Sequence, residues 1–196
     1  MPGSYYSLIN SNGGYFNDTL LNSGTGRNAG IDITLEKFLT HQYYYLVTIS
    51  LFDSRYKGGD DIDRNTRFNS NFVVNLLGGK EWTIRKKNIL GVNMKVSITG
   101  GEYYVPINLQ ASVLQHREVL DDGQAYIPRL TDFWYFDLTL TYRTNHKKFS
   151  GIWALQIKNL LNQQPATGYV YDDFTRSVEK VVSIGILPLI SYKVEF

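Results

Sequence analysis

Apolar and polar residues alternate one by one along most of this chain, a period of two rather than the 3.6 of a helix. From Ile31 to Glu36 the order is Ile-Asp-Ile-Thr-Leu-Glu. Tyr45, Val47, Ile49 and Leu51 share one side of the next segment, with Thr48 and Ser50 opposite. Leu90, Val92, Met94, Val96 and Ile98 alternate with Gly91, Asn93, Lys95, Ser97 and Thr99. Phe136, Leu138, Leu140 and Tyr142 alternate with Asp137, Thr139, Thr141 and Arg143, and Trp153, Leu155 and Ile157 with Ala154, Gln156 and Lys158. At the end, Ile190, Tyr192, Val194 and Phe196 face away from Ser191, Lys193 and Glu195. Successive side chains of a strand point to opposite faces, so each segment predicts a strand with one apolar and one polar face. Weaker strands fit Tyr5–Asn12 and Arg67–Gly78, giving about eight.

The connections fall into two classes. Leu39–Gln42, Glu81–Lys87 and Thr144–Lys148 are short and polar, whereas Asn12–Gly26, Ser54–Thr66, Gly101–Asp132 and Asn162–Ser183 are long. Long and short strictly alternate, which in an antiparallel meander gathers every long connection at one end. Outer-membrane barrels have this asymmetry, with short periplasmic turns and long outer loops. The 101–132 stretch is long for a structureless connection and predicts a functional loop.

Alternation leaves open which face looks inward, since a soluble barrel or lipocalin fills its interior with the apolar side. Three features favour an apolar face turned to lipid. Several segments run about nine to eleven residues, the length a tilted strand needs to cross the hydrocarbon. Aromatics crowd the strand ends: Tyr43, Tyr44 and Tyr45; Trp82; Phe133, Trp134, Tyr135 and Phe136; Phe149 and Trp153; Tyr192 and Phe196. Such rings belong at the headgroup level. The opposite faces carry full charges, at Asp32, Glu36, Lys95, Asp137, Arg143, Lys158 and Lys193. These are expected to line a wet lumen, where charge is tolerated.

Composition narrows the class further. Of 196 residues 43% are hydrophobic and 14% aromatic, a mixture rich in strand formers. Twenty Lys and Arg against 18 Asp and Glu leave no basic field for a nucleic acid. With no cysteine there is neither a disulfide framework nor a thiolate metal site. No apolar run reaches the roughly 18 residues of a spanning helix. The amino terminus, Met1-Pro2-Gly3-Ser4-Tyr5-Tyr6, has no basic region or apolar signal core, so the chain reads as a fragment.

Several stretches carry a family resemblance. Ile186–Phe196, Ile-Leu-Pro-Leu-Ile-Ser-Tyr-Lys-Val-Glu-Phe, resembles the last strand of outer-membrane proteins, which ends in an aromatic. Gly26–Phe38, Ser50–Gly58, Arg64–Asn69, Asn75–Glu81 and Ile157–Asn162 are similar, in order and spacing, to the carboxyl-terminal half of TonB-dependent receptors. The likeness runs from about Tyr6 to Phe196. It implies an antiparallel transmembrane β-barrel segment over residues 1–196, the last eight or so of about 22 strands. The earlier strands and the plug domain would lie outside the chain. It further implies residence in the bacterial outer membrane and uptake of a scarce small molecule such as an iron chelate, cobalamin or an oligosaccharide. The energy would come from the TonB complex acting through the plug. Tyr192, Val194 and Phe196 would form the signal read by the barrel-assembly machinery.

Other readings remain beside it. A self-contained eight-stranded outer-membrane protein with a structural or adhesive role fits the strand count. An outer-membrane hydrolase would use His116 with Asp121 or Asp122, which share the longest loop. Lys57–Asp63, Lys-Gly-Gly-Asp-Asp-Ile-Asp, is acidic enough for calcium but lacks the full ligand pattern, and a solvated loop is expected. His41 and His146 sit in short turns, so the three histidines make no metal cluster, and no cofactor is expected. Tyr103, Tyr104, Tyr126, Tyr169 and Tyr171 lie in the long loops, where they would stack on a ligand or pack the loops together.

Overall fold

A computed structural model describes residues 7–10 and 22–196. The alternating segments become β1 (Thr25–Thr40), β2 (Tyr43–Lys57), the short β3 (Asp63–Asn65), β4 (Phe72–Ile84) and β5 (Asn88–Thr99). After them come helix α1 (Leu109–Gln115), β6 (Phe133–Asn145), β7 (Ser150–Lys158), β8 (Ala166–Asp172), β9 (Ser177–Val182) and β10 (Leu187–Glu195). Seven long strands pair in the order β1-β2-β4-β5-β6-β7-β10, every pair antiparallel, with β3 added beside β2. The chain is all-β, as its period of two predicts.

The sheet is open. Among the described residues β1 and β10 each have one neighbour, so a barrel closed by these strands alone is not formed. The strand expected at Tyr5–Asn12 falls mostly outside the described residues, and its described part, Leu8–Asn10, is a 3-10 turn. The strand expected at Arg67–Gly78 starts later, at Phe72, and runs to Ile84. Its delay has a local cause: Asn71 takes a left-handed φ of 65°, while buried Asn69 bonds Asn65, Asn71, Asp53 and Ser54, tying the backbone into a loop.

Turn chemistry sets the asymmetry of the two ends. At one end, His41 and Gln42 (φ 54° and 68°) close a two-residue hairpin whose twist matches its strands. Arg85 and Lys86 (φ 49° and 64°) open the second turn, and His146 stacks on Phe149 in the third, with centroids 4.5 Å apart. At the other end stand the described long connections, 54–66, 101–132 and 162–183; most of 12–26 lies outside the described residues. Gly101–Asp132 is far from structureless: it holds α1, a 3-10 turn at Asp122–Gln124, and bridges Tyr103↔Arg129 and Ile107↔Leu120. The connection after β7 carries the separate β8–β9 hairpin.

Register makes each face continuous. On one face Val92 stands beside Leu140, Leu140 beside Leu155, and Leu155 beside Ile190. The same row type continues through Ile33↔Ile49, Ile49↔Val74 and Val74↔Ile98. Among the described residues no layer covers this face: Ile31 is 66% and Ile190 77% exposed, and Met94, Leu140, Leu76 and Val194 are exposed too. Val92, Met94, Leu138 and Ile157 therefore do not share a dry centre. The buried residues lie instead almost wholly among the loops and the strand ends beside them: Tyr56, Thr66, Asn69, Ser70, Ser112, Ala125, Leu130, Asn159, Ala166 and Tyr171.

Arg129 and Gly101 clamp that loop core. The Arg129 guanidinium donates to the Gly101 and Ser70 carbonyls (3.0 and 3.1 Å) and to Asp132 (2.8 Å). A Cβ on Gly101 would stand 1.8 Å from the Leu130 carbonyl oxygen, where backbone cannot yield. Gly101→Ala is expected to loosen the loop core by about 1–3 kcal/mol, a typical overpacking cost. Limited proteolysis within residues 101–132 should accelerate while strand content stays constant, and an unchanged cleavage rate would refute the clamp.

Candidate functional site

Two regions carry chemistry, the polar sheet face and a cleft among the loops. The polar face follows from register. Asp32 stands opposite Ser50, Glu36 opposite Leu46, Lys95 opposite Asp137, Arg143 opposite Ile152, Lys158 opposite Leu187, and Lys193 opposite Ile152. All seven charged positions expected on one side thus occupy the same side, away from the exposed apolar rows. Lys95, Asp137 and Lys158 border one shallow hollow with Thr139 and Gln156. Arg143 pairs with Glu195 at 3.1 Å, and Lys193 reaches the same carboxylate at 2.7 Å. Asp137 accepts the Asn159 backbone N–H at 2.8 Å, so it also anchors the chain leaving β7.

Uncharged polar residues extend this face in ways the alternation left unspecified. Ser97 donates to Asn75, which donates to Thr48, a ladder across three strands. The Tyr44 hydroxyl bonds Asn93, and its ring lies where a Cβ on Gly79 would stand. Apolar Leu46, Leu77, Leu187 and Leu189 share the face, so it is mixed rather than uniformly polar.

The apolar face carries its own order. Tyr142 stands opposite Trp153, and Trp153 opposite Tyr192 with ring centroids 4.4 Å apart, while Trp82 reaches the row through Leu90. This row lies toward the short-turn end. Lys80 and Lys37, two cations on this face, sit at the same end with their ammonium groups over Trp82 (5.5 Å) and Tyr43 (3.9 Å), while Arg27 and Arg55 stand on it at the long-loop end. Trp134 marks the loop end. Trp134 and Tyr142 are eight residues apart on β6, about 26 Å along the strand at about 3.3 Å per residue. A tilt of about 40° leaves about 20 Å of height. Tyr192 and Val194 point to this face, and Phe196 stands fully exposed beyond β10.

Above the sheet, the loops enclose a cleft of about 230 Å³. Four of the five loop tyrosines line it: Tyr103, Tyr104, Tyr126 and Tyr169. Tyr104 and Tyr169 come from different loops and meet at 5.2 Å between centroids. Burial, with the Tyr169 ring beside it, pushes the Tyr104 hydroxyl above its ordinary 10.0. Tyr126 packs edge-on against Tyr56 at 5.9 Å. The fifth, Tyr171, is buried outside the cleft, its backbone N–H on Glu118 (3.2 Å) and its hydroxyl on Asp173 (3.0 Å). It packs the loops together.

Sequence reasoning did not single out the polar partners in the cleft. Arg67 and Glu102 form an ion pair at 2.9 Å, and Glu118 and Asn10 also line the wall. Asn10 Oδ1 accepts the Arg67 backbone N–H at 2.7 Å. These residues are remote in sequence, so no local spacing could have joined them.

The other candidates resolve differently. His116 Nδ1 lies 3.2 Å from both oxygens of Asp173, on the β8–β9 hairpin, rather than beside Asp121 or Asp122. Asp121 instead caps the turn at Gly123. His116 and Asp173 are both well exposed, and their link ties loop to hairpin. In the acidic loop each carboxylate meets a cation: Asp60 with Arg64 through two bonds, Asp61 with Lys57, and Asp63 with Arg27. Among the described residues no group of three His, Asp or Glu could hold a metal.

No family model, no curated protein and no solved structure matches the chain.

The Tyr104 environment yields a measurable consequence. Because its folded-state value is raised, its share of stability is whole below the ordinary tyrosine range and fades as pH climbs through the raised value. The absorbance difference between the protein and Tyr104→Phe should show a tyrosine ionising above 10.0. Ionisation at or below that value would dissolve the burial argument.

Proposed function

We propose that this chain is part of a membrane-spanning β-sheet in the bacterial outer membrane, where it serves TonB-dependent uptake of a small molecule. The observation that carries the reading is the apolar face, continuous in register across seven long strands and left uncovered by the described residues, while the packed core lies in the loops. A soluble sheet buries its apolar face under a second layer. In a membrane barrel that face meets acyl chains and the other lines a wet interior. The ring row at one end, Trp134 at the other, and lysines over rings at the turn end fit an interfacial belt. No helix among the described residues is long and apolar enough to cross a membrane.

In hydrocarbon a free strand edge costs several kcal/mol per unpaired group, so β1 and β10 must meet further strands. We assign those strands to the rest of a larger barrel, with a plug inside and the TonB complex acting on it. The Tyr192, Val194 and Phe196 pattern is the proposed signal for barrel assembly. The long loops would face outward and gather the ligand. A complete eight-stranded barrel finds less support, since β1 and β10 stand unpaired with each other.

The absence of cysteine makes the test clean. In outer membranes of producing cells, Cys at Leu138 should react with a lipid-soluble maleimide, and Cys at the adjacent Thr139 with a charged, water-soluble one. Leu138→Arg should weaken membrane folding by about 2–4 kcal/mol, and Thr139→Arg much less. Equal labelling of both positions by the charged reagent would sink the membrane assignment.

A further inference from the structure

We infer that the loop cleft binds one ring of a neutral sugar chain, a conclusion that rests on the uptake reading above and narrows its ligand. The geometry supplies two complementary kinds of contact. Tyr104 and Tyr169 present ring surface from two loops, and Tyr103 and Tyr126 continue it around the wall. A sugar ring offers flat patches of C–H that pack on aromatic faces, while its rim carries hydroxyls that both donate and accept. Glu102 and Glu118 accept from such hydroxyls, and Arg67 donates to them.

Charge argues against an anionic chelate. The one cation on the wall, Arg67, is held by Glu102 at 2.9 Å, and Glu118 is a second carboxylate. Arg129, which lies 6.0 Å from the Tyr103 centroid, is itself held by Asp132. The described wall therefore carries one positive charge against two negative ones and offers an anion no unshared cation. A neutral, hydroxyl-rich ligand needs no such compensation.

Size points the same way. Sites for whole drug-sized ligands run from about 300 to 1,000 Å³. The cleft, at about 230 Å³, suits one ring-sized unit of a chain that extends beyond it, better than a whole cobalamin. Asn10 completes that wall, 8% exposed and with its Oδ1 fixed by the Arg67 backbone N–H.

The test uses the protein purified from membranes in detergent. It is applied to an array of neutral glucans, xylans, mannans and galactans, with ferric citrate and cyanocobalamin titrated in parallel by fluorescence. At least one neutral glycan should bind. Tyr169→Ala, at a side chain already 40% exposed, should weaken that binding about tenfold, and Tyr169→Phe no more than about twofold. Binding of ferric citrate or cyanocobalamin alone, capture of an aromatic peptide instead, or no glycan binding would overturn the proposal. So would glycan binding indifferent to Tyr169→Ala. Labelling at positions 138 and 139 on the same preparation separates the two claims: alternating labels without glycan binding reject the sugar and keep the membrane sheet.

Discussion

An apolar sheet face with none of the described residues packed against it is the constraint that shapes everything else in this molecule. Burying apolar surface is the main force that favours folding, worth about 25 cal/mol for each Å² taken from water. Seven strands present their Val, Ile, Leu and Met side chains in aligned rows, and no other described element covers them. A sheet so built has a reason to fold only where something outside the chain covers it. In the proposed membrane setting lipid would supply that cover without directional bonding, so the backbone would have to satisfy itself, as the unbroken antiparallel pairing from β1 to β10 does. The charges on the opposite face, paired as Arg143 with Glu195 and opposed as Lys95 to Asp137, would then keep contact with water.

Among the loops the ordinary logic of a packed interior holds. The loops bury Tyr56, Ala125, Leu130 and Tyr171 and knit themselves with Asn69 and Arg129. They are a second, compact layer standing on the strand ends rather than a fringe of mobile connections. The cleft inherits its shape from that layer. Arg67 and Glu102 are held by neighbours on both sides of the 101–132 connection, and Tyr169 is delivered by a hairpin latched through His116 and Asp173. A binding wall made of side chains from separated loops stays in place only if those loops are mutually bonded.

Much of the sheet was legible in the alternation. Ile31 to Glu36, Leu90 to Thr99 and Phe136 to Arg143 fall in strands, with their faces divided as the pattern requires. The alternation of long and short connections likewise foretold two unlike ends. Strand limits were less legible because pairing overrides local pattern. The first half of β1, Thr-Gly-Arg-Asn-Ala-Gly, has no apolar rhythm and is held extended by β2 from Phe52 to Lys57. The start of β4 was obscured in the opposite sense, since Asn69 and Asn71 bend a stretch whose composition suits a strand. The cleft was half legible. Its tyrosines were visible as loop aromatics, but Tyr171 turned inward and Arg67, Glu102 and Glu118 joined the wall through contacts between distant segments. The partner of His116 is 57 residues away, beyond the reach of any motif.

Depth-resolved quenching of tryptophan is the most direct measurement of where the apolar face lies. Trp82 and Trp153 near one end of that face, and Trp134 near the other, make the protein its own depth gauge. In bilayers of lipids brominated at defined carbons, bromines just below the headgroups should quench strongly and bromines near the chain ends weakly. Emission indifferent to bromine at every depth would place these rings in water or inside protein, and the account of this sheet as a lipid-facing wall would be wrong.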